Sequence, residues 1–419
     1  MRKFLIYFLS TVASSGIPFL LSIALARFLP VSDSGLIALY TTQVSLAALI
    51  VGLGAYSSVQ ARYFLDLARF ASYLSASVAL HVLGLALVLC ALILVGEPIA
   101  AWASLPLWAL CAAVSVAFMQ CILNMNLLLS QARGWAGRFL LIQLLQTIPL
   151  AIFAPVLAVW AGLGWKGFVL AQLGQFLLIT VWNLAALVRQ FGLRLRFDVE
   201  DLITNFRFGM ALVPHSLAGF IVVGYDRIYV SAHAGGVSTG IYSMMLQIGM
   251  LVSMVVTALN KVYTPWLYAR LRDTSQWHYI ARSTWTGVAA VVAVCALFYP
   301  LAYYGVGPLL GEKFLSGRDL VGWMILGGLI NGIYLLVTNM LFFSERMLLL
   351  SCASVAGALA KWLLLPWLFG LYGLQGAAAS NVAGLVVIAI LVMVFTVHIY
   401  DRRVLFGTLL GTPLEKRHV

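Results

Sequence analysis

The chain is a succession of long apolar runs separated by short polar stretches. Twelve runs stand out, at 4–28, 36–59, 73–95, 105–129, 139–161, 168–188, 208–232, 240–262, 283–304, 320–343, 347–371 and 375–398. A helix needs about 20 apolar residues to cross a bilayer, and each run supplies roughly that. None alternates apolar and polar residues with the two-residue period of a barrel strand. Hydrocarbon offers the backbone no hydrogen-bond partners, so such runs must satisfy their own amides as helices. The pattern therefore predicts an all-α polytopic membrane protein with about 12 transmembrane helices.

The polar stretches suggest a division. The most charged one, 189–207, holds Arg189, Arg194, Arg196, Asp198, Glu200, Asp201 and Arg207, and it follows six runs near the middle of the chain. We expect a six-helix lobe over 1–195, a charged cytoplasmic linker at 196–207, a second six-helix lobe over 208–400 and a cytoplasmic tail at 401–419. An internal repeat fits this plan. Gly164, Gly167 and Gln172 open the sixth run, and Gly373, Gly376 and Asn381 open the twelfth with the same spacing. A weaker echo links Ser34, Gly35, Tyr40 and Gln43 with Thr239, Gly240, Tyr242 and Gln247. An even number of helices per copy makes the repeat parallel, about an axis along the membrane normal.

Composition agrees with this class and removes others. The chain is 63% apolar and 9% charged, against about 45–50% and about 25% in soluble domains, and its mean hydropathy is +1.02. A net charge of +12 would point a soluble chain towards nucleic acid. Here the basic residues crowd one set of loops, and only Arg27, Lys166, Lys313 and Arg318 fall in the opposite set. That asymmetry puts both termini in the cytoplasm and removes the reason to invoke nucleic acid. The five cysteines lie inside apolar runs without Cys-x-x-Cys spacing, which reads as core packing rather than disulfides or a metal site. The N-terminal Met1-Arg2-Lys3 and the apolar run after it mimic a secretory signal. That run extends to about Leu29 and many spans follow, so it reads as a retained first helix. The outer loops are short, the longest being 305–319, and no Walker A, His-Glu-x-x-His or Gly-x-Ser-x-Gly pattern occurs. Neither an enzyme nor a cofactor or metal is expected.

The candidate chemistry lies in ionisable groups inside the spans, which by default mark a substrate or ion path. Lys361 is the deepest, about fifteen residues past Arg346 and so about 22 Å along a helix. No carboxylate lies within a helical turn of it. Two readings stand: an ammonium facing a wet cavity and ready for phosphate, or a lysine that snorkels or pairs with an acid on another helix. Asp226 and Arg227 point about 100° apart on a helix and need not pair with each other. Arg227 lines a cavity or reaches the outer interface, and Asp226 is a brace or a protonatable coupling group. Lys261, beside Asn260, and Arg27, at the end of the first run, are each a cavity cation or an interfacial anchor. His215 follows Pro214 and is either a satisfied polar residue or a proton relay. Gln43, Asn124, Gln247, Asn260, Asn339 and Asn381 either bind sugar hydroxyls or join helices by hydrogen bonds.

One stretch carries a family likeness. From Arg207 to Tyr268 it runs Gly209-x-x-x-x-Pro214-His215, then Asp226-Arg227, then Gly240-x-Tyr242-Ser243, then Lys261 before Pro265. This resembles the polysaccharide-exporter branch of the multidrug/oligosaccharidyl-lipid/polysaccharide exporter superfamily, and within it the Wzx-type O-antigen flippases. The resemblance implies a bacterial inner-membrane flippase of undecaprenyl-pyrophosphate-linked oligosaccharide, working by alternating access with H+ or Na+ coupling. It also implies a polysaccharide polymerase and a chain-length regulator as partners. A basic residue at the position of Arg27 is typical of these flippases, whereas Lys361 matches no firm motif. On this reading Lys361, Arg227, Lys261 and Arg27 receive the pyrophosphate, and Asp226 and His215 couple the ion. A multidrug antiporter would share the plan but favour acidic cavity residues. A membrane glycan polymerase or ligase would need a long outer loop.

Overall fold

A computed structural model describes residues 2–194, 196–271, 273–344, 346–400 and 403–406. The expected tail of 401–419 therefore lies outside the described residues, apart from 403–406. The described residues form helices throughout and no strand. These are α1 (Arg2–Phe28), α2 (Val31–Gly52), α3 (Ser58–Leu65), α4 (Phe70–Ala103), α5 (Leu107–Ala132), α6 (Ala136–Pro155) and α7 (Trp165–Phe191). They continue as α8 (Val199–Val223), α9 (Tyr225–Leu271), α10 (Trp277–Leu310), α11 (Leu320–Phe343), α12 (Met347–Tyr372), α13 (Leu374–Tyr400) and α14 (Arg403–Phe406). Eleven of the described helices are long and apolar enough to cross a membrane, and α1 adds the apolar stretch Ala13–Phe28. The chain is a multi-pass membrane protein.

Packing separates two compact units. The first takes Met1–Phe220, Arg227–Ser243 and Leu309–Gly311; the second takes Ile221–Asp226, Met244–Pro308 and Glu312–Val419. In the first, α5 is the inner helix, buried on most faces from Ala109 to Ser130. By contrast α4 turns Leu83, Leu87, Ile93 and Leu94 outwards, as lipid contact requires. Small residues set the close approaches. Gly84 sits against the Val51 carbonyl, and Gly35 meets the backbone of Gly236 and Gly240. In the second unit, Gly357 and Gly384 bring α12 and α13 together backbone to backbone.

The repeat is visible in backbone conformation. Gly164 has φ 58° and ψ −140° immediately before α7, and Gly373 has φ 56° and ψ −130° immediately before α13. A positive φ of this kind favours glycine. Three residues later, a Cβ on Gly167 would strike the Leu157–Ala158 backbone, and one on Gly376 would strike the Leu368–Phe369 backbone. Each copy thus uses its first glycine to turn and its second to pack the new helix against the old.

Helix boundaries differ from expectation around the seventh run. The anticipated helix 208–232 is two pieces, because α8 ends at Val223 and α9 starts at Tyr225. The anticipated turn at 233–239 shrinks to Gly235, whose φ of 76° and ψ of 178° interrupt α9. Helix α8 also begins early. Residues 199–207, expected as linker, are its first two turns, with Glu200 and Asp201 placed where a helix N-terminus favours acids.

That early start is held within the first unit. Arg69 Nη2 lies 3.1 Å from Glu200, 3.4 Å from Asp198 and 3.6 Å from Asp201. Ser72 donates to Asp201 at 2.6 Å, and Asn205 donates to the Tyr73 carbonyl at 3.4 Å. The Glu200 hydrogen bond, then the charge of Asp201, raises the Arg69 pKa above the ordinary arginine value. A raised cation pKa stabilises at all pH values below the unfolded one, so this contribution is constant across the working range. Arg69 is exposed, however, and exposed pairs contribute little and are screened by salt. Replacing it by Ala should leave the melting temperature nearly unchanged in high salt. Replacing Asp201, which is 5% exposed, should lower it at any salt; equal shifts for both variants would contradict this ranking.

Candidate functional site

The break at Gly224 builds a buried polar cluster in the second unit. Val222 is in the last turn of α8, where carbonyls lack helical partners. Asp226 is in the first turn of α9. Lys361, on α12, meets both: its Nζ donates to the Val222 carbonyl at 2.6 Å and to Asp226 Oδ2 at 3.0 Å. A third bond, also 3.0 Å, goes to Asn381 Oδ1 on α13. An ammonium has three protons, and three acceptors from three helices take them. Lys361 and Asp226 are each fully buried. Gly384 permits the approach, since a Cβ there would lie 3.0 Å from Lys361 Cβ. The arrangement also suits the helix dipoles, with a cation at the C-terminal end of α8 and a carboxylate at the N-terminal end of α9.

Of the two readings of Lys361, the pairing with an acid on another helix is present. Its charge is met by an acid on another helix, and its donors are saturated inside the unit rather than turned to a wet cavity. Asp226 is held by the same ion pair, at 3.0 Å.

The remaining expected residues fall in both units. Arg227 is half-buried in the first unit and donates to Thr42 at 3.2 Å. Gln43, next along α2, is 6% exposed, and its Nε2 has no hydrogen-bond partner. Asn339 donates to Asn260 Oδ1 at 2.7 Å and accepts from Thr264 at 3.2 Å, tying α11 to α9 in the second unit. Asn260 and Asn339 therefore join helices. Arg27, Lys261 and His215 are exposed, while Asn124 and Gln247 are half-buried. His81 is fully buried with Nδ1 2.6 Å from the Ser77 carbonyl.

Sequence reasoning missed two features. The Val222 carbonyl gave no side-chain signal, although the glycine at 224 marked a place where a helix can stop. The second is a polar chain in the first unit, where Arg138 donates to Asn126 at 2.8 Å and Asn126 to the Asn183 carbonyl at 3.0 Å. In the sequence Arg138 is one of many basic residues between apolar runs. Among the described residues, no group of three or more His, Cys, Asp or Glu is placed to hold a metal.

Residues 1–270 match the polysaccharide biosynthesis protein family. The chain belongs to that family. A protein of Haemophilus influenzae described as Lsg locus putative protein 1 is 24% identical over 367 residues, covering 84% of this chain and 86% of that one. Among solved structures, the lipid II flippase MurJ in an inward closed conformation matches with a TM-score of 0.77 at 12% identity, over 98% of this chain and 94% of its own. An inward-facing multidrug resistance MATE family transporter of the MOP superfamily matches with a TM-score of 0.74 at 15% identity, over 93% and 95%. At such identities the likeness is one of fold: the all-helical, two-lobed plan of these membrane transporters. The family is described by polysaccharide biosynthesis, and the solved structures that share this fold are a flippase and a transporter.

Proposed function

We propose that the chain is a flippase that moves an undecaprenyl-pyrophosphate-linked oligosaccharide repeat unit from the cytoplasmic to the outer leaflet of a bacterial inner membrane. Both termini are cytoplasmic on this reading, and surface polysaccharide assembly, of the O-antigen kind, is the process served. The match to polysaccharide biosynthesis proteins over residues 1–270 is the observation that carries it. A dianionic carrier also suits the charge of the spans, where Arg27, Arg227, Lys261 and Lys361 stand against Asp226. By the family resemblance, Arg227, Lys261 and Arg27 are cations offered to the pyrophosphate. Gln43, Asn124, Gln247 and Asn381 remain the amides proposed for sugar hydroxyls, while Asn260 and Asn339 bind each other.

The drive is an ion gradient acting on Asp226, with His215 as a secondary proton carrier. A proton or Na+ that takes the Asp226 carboxylate weakens its hold on Lys361 and so frees the junction of α8 and α9. A polymerase and a chain-length regulator would act on the delivered unit.

Complementation tests the reading. A strain lacking its polysaccharide flippase should regain surface polysaccharide when it expresses this chain, and lipid-linked repeat units should cease to accumulate in the cytoplasmic leaflet. Drug resistance without such rescue would favour a multidrug antiporter instead. In the rescued strain, Arg227→Gln should reduce polysaccharide about tenfold at normal protein level, as loss of one charge-assisted phosphate contact predicts. Undiminished rescue would remove Arg227 from the site.

A further inference from the structure

A pair of arginines at one end of the first unit has the chemistry of a phosphate site. Arg133 follows α5 directly, and Arg138 lies in the first turn of α6. The turn between them places both guanidiniums over the Trp135 ring, at 4.8 Å for Arg133 and 5.4 Å for Arg138. Arg133 also lies 4.4 Å from the Phe191 ring and donates from Nε to Tyr63 at 3.0 Å. Arg138 lies 5.7 Å from the Trp182 ring. Two like charges thus share the Trp135 ring.

Neither has an acid. Among the described residues, no carboxylate comes within 4.0 Å of either guanidinium, whereas the acids of the α8 start, Asp198, Glu200 and Asp201, all gather on Arg69. Arg138 makes one hydrogen bond, through Nη2 to Asn126, and its buried Nε and Nη1 have no acceptor. An arginine anchored only to help a helix end in water does not bury two unpaired donors. An anion with several oxygens would supply what is missing. Planar guanidiniums suit the oxygens of phosphate, and basic pockets between helices at a membrane face recognise lipid phosphate.

We propose that Arg133 and Arg138, walled by Tyr63, Trp135, Trp182 and Phe191, form a site for a phosphate group at this end of the first unit. The group is borne by a phospholipid headgroup or is free inorganic phosphate. The inference does not depend on what the protein transports.

The purified full chain can be examined by native mass spectrometry after equilibration with equal phosphatidylglycerol and phosphatidylcholine. In a second arm, thermal melting is compared in sodium phosphate and in sodium chloride of equal ionic strength. The wild type should retain phosphatidylglycerol preferentially, and Arg133→Gln and Arg138→Gln should each cut that preference about fivefold, the factor per basic residue near an anionic surface. Arg346→Gln, which changes an exposed arginine elsewhere, should leave it intact. If Arg138→Gln does not fold, Arg133→Gln and Arg138→Lys carry the test, the lysine keeping the charge and part of the preference. An arginine-dependent gain in phosphate without lipid preference assigns the site to the free anion. No arginine-dependent effect in either arm, or an equal loss in Arg346→Gln, overturns the proposal.

Discussion

Asp226→Ala should unfold the second unit more readily than any surface change, because it leaves the Lys361 ammonium fully buried without its acid. Removing one partner of a buried ion pair costs about 3–5 kcal/mol, and here the neutral Val222 and Asn381 oxygens would not replace the lost carboxylate. Lys361→Ala should lower protein level in the same way by stranding Asp226. The double variant Asp226→Leu/Lys361→Met carries no buried charge and should regain most of the lost stability, since well-packed apolar replacements of such pairs are often neutral. Melting in detergent, run as a double-mutant cycle, measures the coupling. An Asp226→Ala protein as stable as wild type would show that the pair holds nothing together. The double variant then addresses transport. If it folds but fails to rescue polysaccharide, the pair serves the transport cycle as well as the fold; full rescue would leave it a brace.

Gly376→Ala should be the most damaging change of a single methyl group. The added carbon would overlap the Leu368 carbonyl and the Phe369 amide where α13 turns back against α12. Overpacking of flexible side chains costs about 1–3 kcal/mol, and two backbones yield less than side chains do. Gly167→Ala should repeat the effect at the corresponding turn, against Leu157 and Ala158. Gly370→Ala is the control. Nothing lies within 4 Å of its added carbon, and alanine is the better helix former by about 1 kcal/mol. Expression followed by size-exclusion profiles would rank the three. Tolerance of Gly376→Ala equal to that of Gly370→Ala would contradict the close crossing of the two helices.

The α8–α9 region shows how far a local pattern reaches. Apolar length alone indicated a helix through 208–232, because hydropathy averages over residues and cannot register one broken hydrogen bond. The structure stops at Val223 and resumes at Tyr225. That single interruption frees the Val222 carbonyl and brings Asp226 to a helix start. The acidic residues of 198–201 carried a similar ambiguity. The pattern assigns them to a charged linker, yet against Arg69 and Ser72 they form a helix N-terminus. The amides divided in the same manner, since Asn260 and Asn339 could be assigned to each other only once α9 and α11 were seen side by side.

What the sequence determined by itself was whatever depends on neighbours along the chain. Run length and lack of charge dictated membrane-spanning helices, because a backbone in hydrocarbon has to bond to itself. The spaced glycines before the sixth and twelfth spans marked the repeat, because a left-handed turn and a close helix contact both demand a missing side chain. Tertiary structure alone decided which charge meets which. Lys361 and Asp226 are 135 positions apart, and an ion pair across such a separation leaves no trace in local spacing. Its existence depends on a helix break, a glycine crossing and three acceptors converging on one nitrogen, and only the folded chain brings those together.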